Sequence, residues 1–240
     1  MGWSYKFWTD SLYPKGLPPD QYLSEYARHF HTVEVDNTFY RIPSKDVVTD
    51  WKSQTPPDFV FSLKFPKRIT HDKMMRDCED ITRAFLERVS YLDSKLGPML
   101  LQFPYAFKPE HMPLLNDFLP TLPRTNRFVV EVRNKKLLDE KLYSILKDNR
   151  VALAVVDQPF MPLTETITAD FVYIRIEGDR RKVNGTLGKV EIDKTDRTKE
   201  WAERITKLLE QSVETFVYFS KYYSGYPPAD AKQLLRALAM

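Results

Sequence analysis

Seven apolar segments of this chain run into a polar or charged residue, and those residues could do chemistry together. Glu34 lies in TVEVD, Lys64 in FVFSLKF, Gln102 in PMLLQF, Glu131 and Arg133 in RFVVEVR, Asp157 in VALAVVD, Arg175 in FVYIRI, and Ser220-Lys221 follow TFVYF. A charge at the end of a buried strand is costly unless it is paired or used. Arginine and lysine bind phosphate or carboxylate groups. Carboxylates among them can act as general acid or base. The set Glu34, Glu131, Asp157 with Lys64, Arg133, Arg175 therefore suits a polar, anionic ligand. The competing reading is structural: Glu131 beside Arg175 or Lys64 could be a satisfied interior pair.

His71 follows the Lys64 segment in RITH and should overhang the same site as a proton donor. A metal held by Glu34, His71, Glu131 and Asp157 is chemically conceivable, but the interleaved cations would repel a divalent ion. No metal and no cofactor is expected. Aromatic residues crowd the same loops: Trp3, Tyr5, Phe7 and Trp8 at the start, Phe39-Tyr40 after Glu34, and Tyr222, Tyr223 and Tyr226 near the end. They serve either as rim packing or as a stacking platform for a ring.

The elements that must position these groups alternate. Period-two segments predict strands at Thr32–Asp36, Phe59–Phe65, Pro98–Phe103, Arg127–Arg133, Val151–Asp157, Phe171–Ile176 and Thr215–Ser220. Helical patterns fall at Gln21–Phe30, Lys45–Gln54, Asp77–Leu96, Pro109–Leu119, Lys135–Asp148, Lys199–Gln211 and Ala229–Ala239. Val129, Glu131 and Arg133 share a face, as do Ser62 with Lys64 and Tyr173 with Arg175. Their apolar neighbours take the opposite face. That order predicts a parallel sheet with right-handed crossovers. No G-x-G-x-x-G opens the first unit, which counts against a dinucleotide-binding open sheet. The expected architecture is an α/β, (β/α)8 TIM-type barrel of one domain over residues 1–240, with reactive groups at the C-terminal mouth. An eighth strand has room only at the extreme N-terminus. Strand one is therefore expected to be missing or a stub at Met1–Trp3, leaving a seam between the Thr32 and Thr215 strands.

Composition sets outer limits. Net charge is +3, so bulk charge does not argue for nucleic acid. The lone Cys78 excludes an internal disulfide framework and points to a reducing compartment. There is no membrane-length apolar run and no apolar signal core, so no membrane partner is expected.

Seven motifs occur in order along Gly2–Arg180: GWSYKFW, LYPKGLPP, TVEVDNTFYRIP, FSLKFPKRITH, LGPMLLQFP, FVVEVR and TADFVYIRIEGDR. Together they resemble the YecE-like family, domain-of-unknown-function family 72, over essentially the whole chain. The resemblance implies a TIM-type barrel and a cytoplasmic prokaryotic protein, without a settled activity. Its pattern falls on Trp3, Glu34, Tyr40, Lys64, His71, Gln102, Glu131, Arg133, Asp157, Tyr173 and Arg175. Two departures stand at the mouth: Glu177-Gly178 replaces the family's common His-Gly, and Ser220-Lys221 replaces an Asn pair.

The resulting expectation is a metal-independent hydrolase or lyase acting on a phosphate- or carboxylate-bearing small molecule. Glu34, His71, Glu131 and Asp157 would be catalytic. Lys64, Gln102, Arg133, Tyr173, Arg175, Tyr40 and Trp3 would bind substrate. The alternative is a nucleic-acid or nucleotide-binding protein using the same cations and aromatics.

Overall fold

The computed structural model describes residues 1–239. Its centre is one sheet of seven parallel strands, hydrogen-bonded in sequence order: β1 (Thr32–Val35), β2 (Val60–Lys64), β3 (Leu96–Gln102), β4 (Phe128–Glu131), β5 (Ala152–Asp157), β6 (Phe171–Ile176) and β7 (Glu214–Phe219). Helix α1 (Tyr22–Ala27) precedes β1. Helices α2 (Lys45–Ser53), α3 (Glu79–Val89), α4 (Met112–Phe118), α5 (Glu140–Asp148) and α6 (Thr195–Glu210) are crossovers, and α7 (Pro227–Leu238) follows β7. Two crossovers start on side-chain caps. Ser44 Oγ accepts the Val47 N–H at 3.3 Å, and Asp139 Oδ1 accepts the Leu142 N–H at 3.0 Å. Each satisfies an orphan donor, a contribution of about 1 kcal/mol.

Side-chain alternation sorts the strands into two layers. Leu100, Val129, Ala154, Val156, Tyr173 and Tyr218 cluster inside the barrel. Phe61, Leu63, Leu101 and Val130 face outward with the helices, as do Val172 and Ile174. Glu34, Ser62, Lys64, Gln102, Glu131 and Arg175 share the parity of the inner set. All but Ser62, which lies mid-strand, stand toward the C-terminal ends, as expected for a mouth-facing site.

The barrel is nearly closed, and β1 and β7 do not pair. The N-terminal stub bridges them at the mouth end. The Gly2 N–H donates to Glu34 O at 2.7 Å, and the Met1 amine to Phe219 O at 3.0 Å. Gly2 has φ +69°, and a Cβ there would sit 2.9 Å from Tyr5 Oη, so the position favours glycine. Deeper in the seam the contact is between side chains, Thr32 Oγ1 to Tyr218 Oη at 2.7 Å. Outside it, Tyr26 and Phe30 face Leu234 and Leu235 across an apolar cavity of about 250 Å³.

The connection from β5 to β6 carries no helix. Thr168 Oγ1 instead ties that segment to the sheet, accepting the Leu153 N–H at 2.8 Å and donating to Val151 O at 2.6 Å. Other differences from the sequence expectation are at element ends. The helix expected over 77–96 stops at Val89 and continues as a tighter helical stretch to Lys95, broken at Asp93, whose φ is +56°. No helix among the described residues is long and apolar enough to cross a membrane.

An unpaired seam predicts uneven backbone protection. In hydrogen–deuterium exchange, seam-facing amides of β1 and β7 should exchange faster than any amide of β3, which is paired on both sides. Equal protection would show that the seam is sealed by more than the stub and the Thr32–Tyr218 contact.

Candidate functional site

The floor of the mouth is one buried guanidinium among three carboxylates. Arg175 leaves β6 into the barrel and is 2% exposed. Its Nε donates to Glu34 Oε2 and its Nη2 to Glu34 Oε1, both at 2.9 Å, a bidentate pair. Its Nη1 donates to Glu131 Oε2 and also lies 2.7 Å from Glu177 Oε1. The carboxylates are held in turn. Tyr173 Oη donates to Glu34 Oε2 at 2.7 Å, and Gln102 Nε2 to Glu131 Oε1 at 2.7 Å. Burial alone would push both glutamates up, but the Arg175 charge outweighs it, and both are held below their usual value. They are committed to the ionised form.

A second cluster lies on the β1–β2 side. Lys64 Nζ sits 4.2 Å from the centre of the Phe39 ring, and the His71 ring meets the same phenyl edge-on at 4.9 Å. His71 is carried by a π-helical turn, Arg68–Asp72, anchored by buried Ile69 and Thr70. Such wide turns often mark functional positions. Burial, then the Lys64 and Arg133 charges, push His71 down to about 4, so it is neutral at pH 7. Burial and the Arg175 charge also lower Lys64. Asp36, immediately after β1, is raised to about 6 by burial and the Glu34 charge. Sequence reading passed over Asp36 because alternation placed it with the other polar residues of TVEVD. The available signal was its position one residue past a strand end.

Above the floor, on the β3–β7 side, opens a cavity of about 650 Å³. Arg133, Lys135, Arg180 and Arg181 line it together with Glu177 and Asp179. Both carboxylates are already engaged, Glu177 by Arg175 and Asp179 by Arg181 at 2.8 Å. Arg133 shares Glu131 through a 3.3 Å contact and is otherwise turned to the cavity. Arg180 lies 5.3 Å from the Tyr222 ring centre and Arg181 4.6 Å from that of Phe160. Among the described residues no three or more His, Cys, Asp or Glu side chains are grouped to hold a metal.

The structure brings Glu34, Lys64, Gln102, Glu131, Arg133 and Arg175 to one mouth and leaves Asp157 out. Val156, not Asp157, has inward parity on β5. Asp157 faces the helix layer, accepting from Arg197 Nε at 3.0 Å and Trp201 Nε1 at 2.7 Å, and so anchors α6. Three other expected roles change. Arg175 is no anion clamp, because carboxylates occupy its donors. Tyr173 is fully buried beneath Glu34, with Ser62 Oγ 2.6 Å from its hydroxyl. Trp3 packs edge-on against Trp51 of α2 at 5.6 Å, away from the cavity lining. Tyr40 stands at the rim, 80% exposed.

The family model "Protein of unknown function DUF72" matches residues 1–240. The chain belongs to the DUF72 family. The UPF0759 protein YecE of Escherichia coli K12 is 44% identical over 112 residues, 47% of this chain and 41% of YecE. The matched region thus spans about two-fifths of that relative's length. The UPF0759 protein YunF of Bacillus subtilis is 25% identical over 95% of this chain and 90% of its own. Among solved structures, a DUF72 family protein of Thermotoga maritima superposes with TM-score 0.80 at 27% identity, covering 100% of this chain and 97% of that one. One from Enterococcus faecalis gives 0.76 at 24% identity, covering 91% and 93%.

Within this DUF72 chain both sequence departures fall on the mouth. Glu177 supplies the third carboxylate on Arg175. Lys221 adds a cation 5.2 Å from the Tyr222 ring centre. The loop between them is tightly set, since a Cβ on Gly178 (φ +71°) would lie 2.2 Å from Tyr222 O.

Two substitutions test these assignments. Arg175→Met should cost about 3–5 kcal/mol in chemical denaturation, because it strands buried carboxylates. Asp36 has a folded-state value above its ordinary one, so ionising it opposes folding. That cost is absent below the ordinary carboxylate range and complete only as pH rises past about 6. Asp36→Asn should therefore raise the melting temperature at about pH 7.5 and leave it unchanged at about pH 3.5. A pH-independent shift would contradict the assignment.

Proposed function

We propose that this protein is a metal-independent hydrolase or lyase acting on a small molecule that carries a phosphate or carboxylate group. The observation that carries this reading is the 650 Å³ cavity at the strand ends, where Arg133, Lys135 and Arg180 face carboxylates that already have partners. A cavity of this size suits a metabolite-sized ligand. Its net positive field favours an anion, and arginine suits planar, two-point recognition of phosphate or carboxylate.

Proton transfer falls to Asp36 rather than to Glu34 and Glu131. A catalytic acid or base works best with its pKa near the working pH. Asp36, at about 6, meets that condition. His71, lowered to about 4, stays neutral at pH 7 and is too weak a base to carry the proton, so its part is to hydrogen-bond the ligand. Glu34 and Glu131 hold the floor in place and supply a fixed negative field. The single, buried Cys78 agrees with a cytoplasmic location, which belongs to the same proposal.

A second reading has its own observation. Tyr40, Tyr105 and Phe160 are 80%, 71% and 66% exposed, and Tyr105 and Phe160 line the cavity. Solvent-facing aromatic rings beside arginines are the equipment of a base-stacking surface. On that reading the ligand is a nucleotide or a nucleic acid.

A thermal-shift screen against phosphorylated metabolites, carboxylic acids, nucleotides and oligonucleotides separates the two. A compact phosphorylated or carboxylated compound should stabilise the protein, by about 2.7 kcal/mol at a hundredfold excess over Kd. Arg133→Ala should abolish most of that shift with only a modest fall in the ligand-free melting temperature, because Glu131 keeps Arg175 and Gln102. A response confined to oligonucleotides, steeply weakened by salt, would favour the second reading. No response from any class would overturn both.

A further inference from the structure

Two lysines of this chain are largely buried, and they differ in a way that points to chemistry. Lys95 is 6% exposed and all its donors are placed: Nζ bonds Lys52 O at 2.7 Å, Thr55 O at 2.6 Å and Thr55 Oγ1 at 3.0 Å. That is a structural lysine. Lys64 is 9% exposed, yet among the described residues its Nζ has no hydrogen bond and no ion pair, only the face of Phe39 at 4.2 Å. Carboxylates are close by on the floor, but Arg175 takes Glu34 and Glu131. The lysine stands at the C-terminal end of β2 with inward parity, between Asp36 after β1 and His71 after β2.

The buried stem brings the ammonium to the mouth with no protein hydrogen-bond partner, partly desolvated though open to solvent, and the guanidinium of Arg175 adds like-charge repulsion. Both disfavour the charged form and free the nitrogen lone pair. Desolvation beside another cation is how a lysine amine becomes a nucleophile toward carbonyl carbon. A lysine needed only as a point charge for an anion gains nothing from this burial.

We propose that Lys64 is a nucleophilic amine that forms an imine with an aldehyde or ketone carried by the anionic small molecule bound at the mouth. This rests on the reading of the mouth as an anion site and narrows its substrates to carbonyl compounds. The Nζ lone pair attacks the carbonyl carbon, and the C=O π pair moves to oxygen. Oxygen takes one proton as nitrogen loses one, giving a carbinolamine. Loss of the remaining nitrogen proton and departure of the hydroxyl group with a proton then form C=N and release one water. Both nitrogen protons end on the departing oxygen, and no oxidant or reductant is consumed. Asp36 is placed to relay these protons, and the cations of the neighbouring cavity hold the phosphate or carboxylate end. An imine draws electrons from the adjacent carbon–carbon or carbon–hydrogen bond, which suits a lyase better than a hydrolase.

The test uses pyridoxal 5′-phosphate as a probe that joins an aldehyde to a phosphate. The full chain is incubated with the probe, reduced with borohydride and peptide-mapped. Lys64 should carry the dominant phosphopyridoxyl adduct, ahead of the exposed Lys15, and excess inorganic phosphate should suppress it. Lys64→Arg keeps the charge and should remove that adduct without redirecting it. The peptide map of the unsubstituted protein decides the question even if the variant folds poorly. In parallel, binding of pyridoxine 5′-phosphate, which has an alcohol in place of the aldehyde, is measured by calorimetry. Binding of this alcohol with no preferential label on Lys64 would overturn the inference and leave the anion site standing. Neither binding nor preferential label would overturn both. Preferential labelling of Lys64 that phosphate suppresses supports both.

Discussion

The whole mouth depends on neutralising one buried guanidinium. Arg175 is nearly inaccessible, and moving such an ion out of water costs several kcal/mol even after relaxation. The cost is offset only because Glu34, Glu131 and Glu177 surround it and because Tyr173 and Gln102 complete the glutamates' hydrogen bonding. These partners come from β1, β3, β4, β6 and the loop after β6. A single ion cluster thus links strands on opposite sides of the barrel. It also acts across the open seam, where β1 and β7 share no strand pairing. Below it, Ser62–Tyr173 and Thr32–Tyr218 repeat the same device with neutral groups. The barrel interior is therefore filled by a polar ladder among aromatic rings rather than by aliphatic layers alone.

That neutralisation determines where an anion can go. A guanidinium with three carboxylate neighbours presents little positive field to a ligand. The available cations are those around it: Arg133, Lys135 and Arg180 on the β3–β7 side, and Lys64 on the β1–β2 side. The mouth is thus divided into a cationic cavity and an amine beside Asp36 and His71, with the charged floor between them. The division explains why neighbouring groups titrate so differently. Glu34 is held ionised by Arg175, while Asp36, two residues later, is raised to about 6 by burial and then by the repulsion of Glu34.

Much of this could be read from the sequence, for a definite reason. Period-two alternation reports which side of a strand a residue occupies, so the inward placement of Glu34, Lys64, Glu131 and Arg175 followed from their apolar neighbours. The strand count gave the seven-stranded barrel and the stub at its seam. Asp157 was grouped by its position at a strand end, and VALAVVD, apolar up to that residue, shows no alternation to correct it; the pairing of Val156 with Arg175 puts Val156 inward. The roles of Arg175 and Tyr173 were not legible because pairing is a property of three-dimensional neighbours. Nothing in FVYIRIEG says that Glu177 folds back onto Arg175. The missing helix between β5 and β6 fits the sequence, which has no helical pattern from 158 to 170. The substitution of Thr168 hydrogen bonds for it does not show in any pattern.

The central claim is that Arg175 is spent inside the protein and that anions bind to the cations around it. Anomalous diffraction from crystals soaked in selenate tests this directly. The account predicts a selenium peak in the cavity bounded by Arg133, Lys135 and Arg180, with Glu34, Glu131 and Glu177 still on Arg175. A selenate ion bound to Arg175 with Glu177 displaced would contradict it.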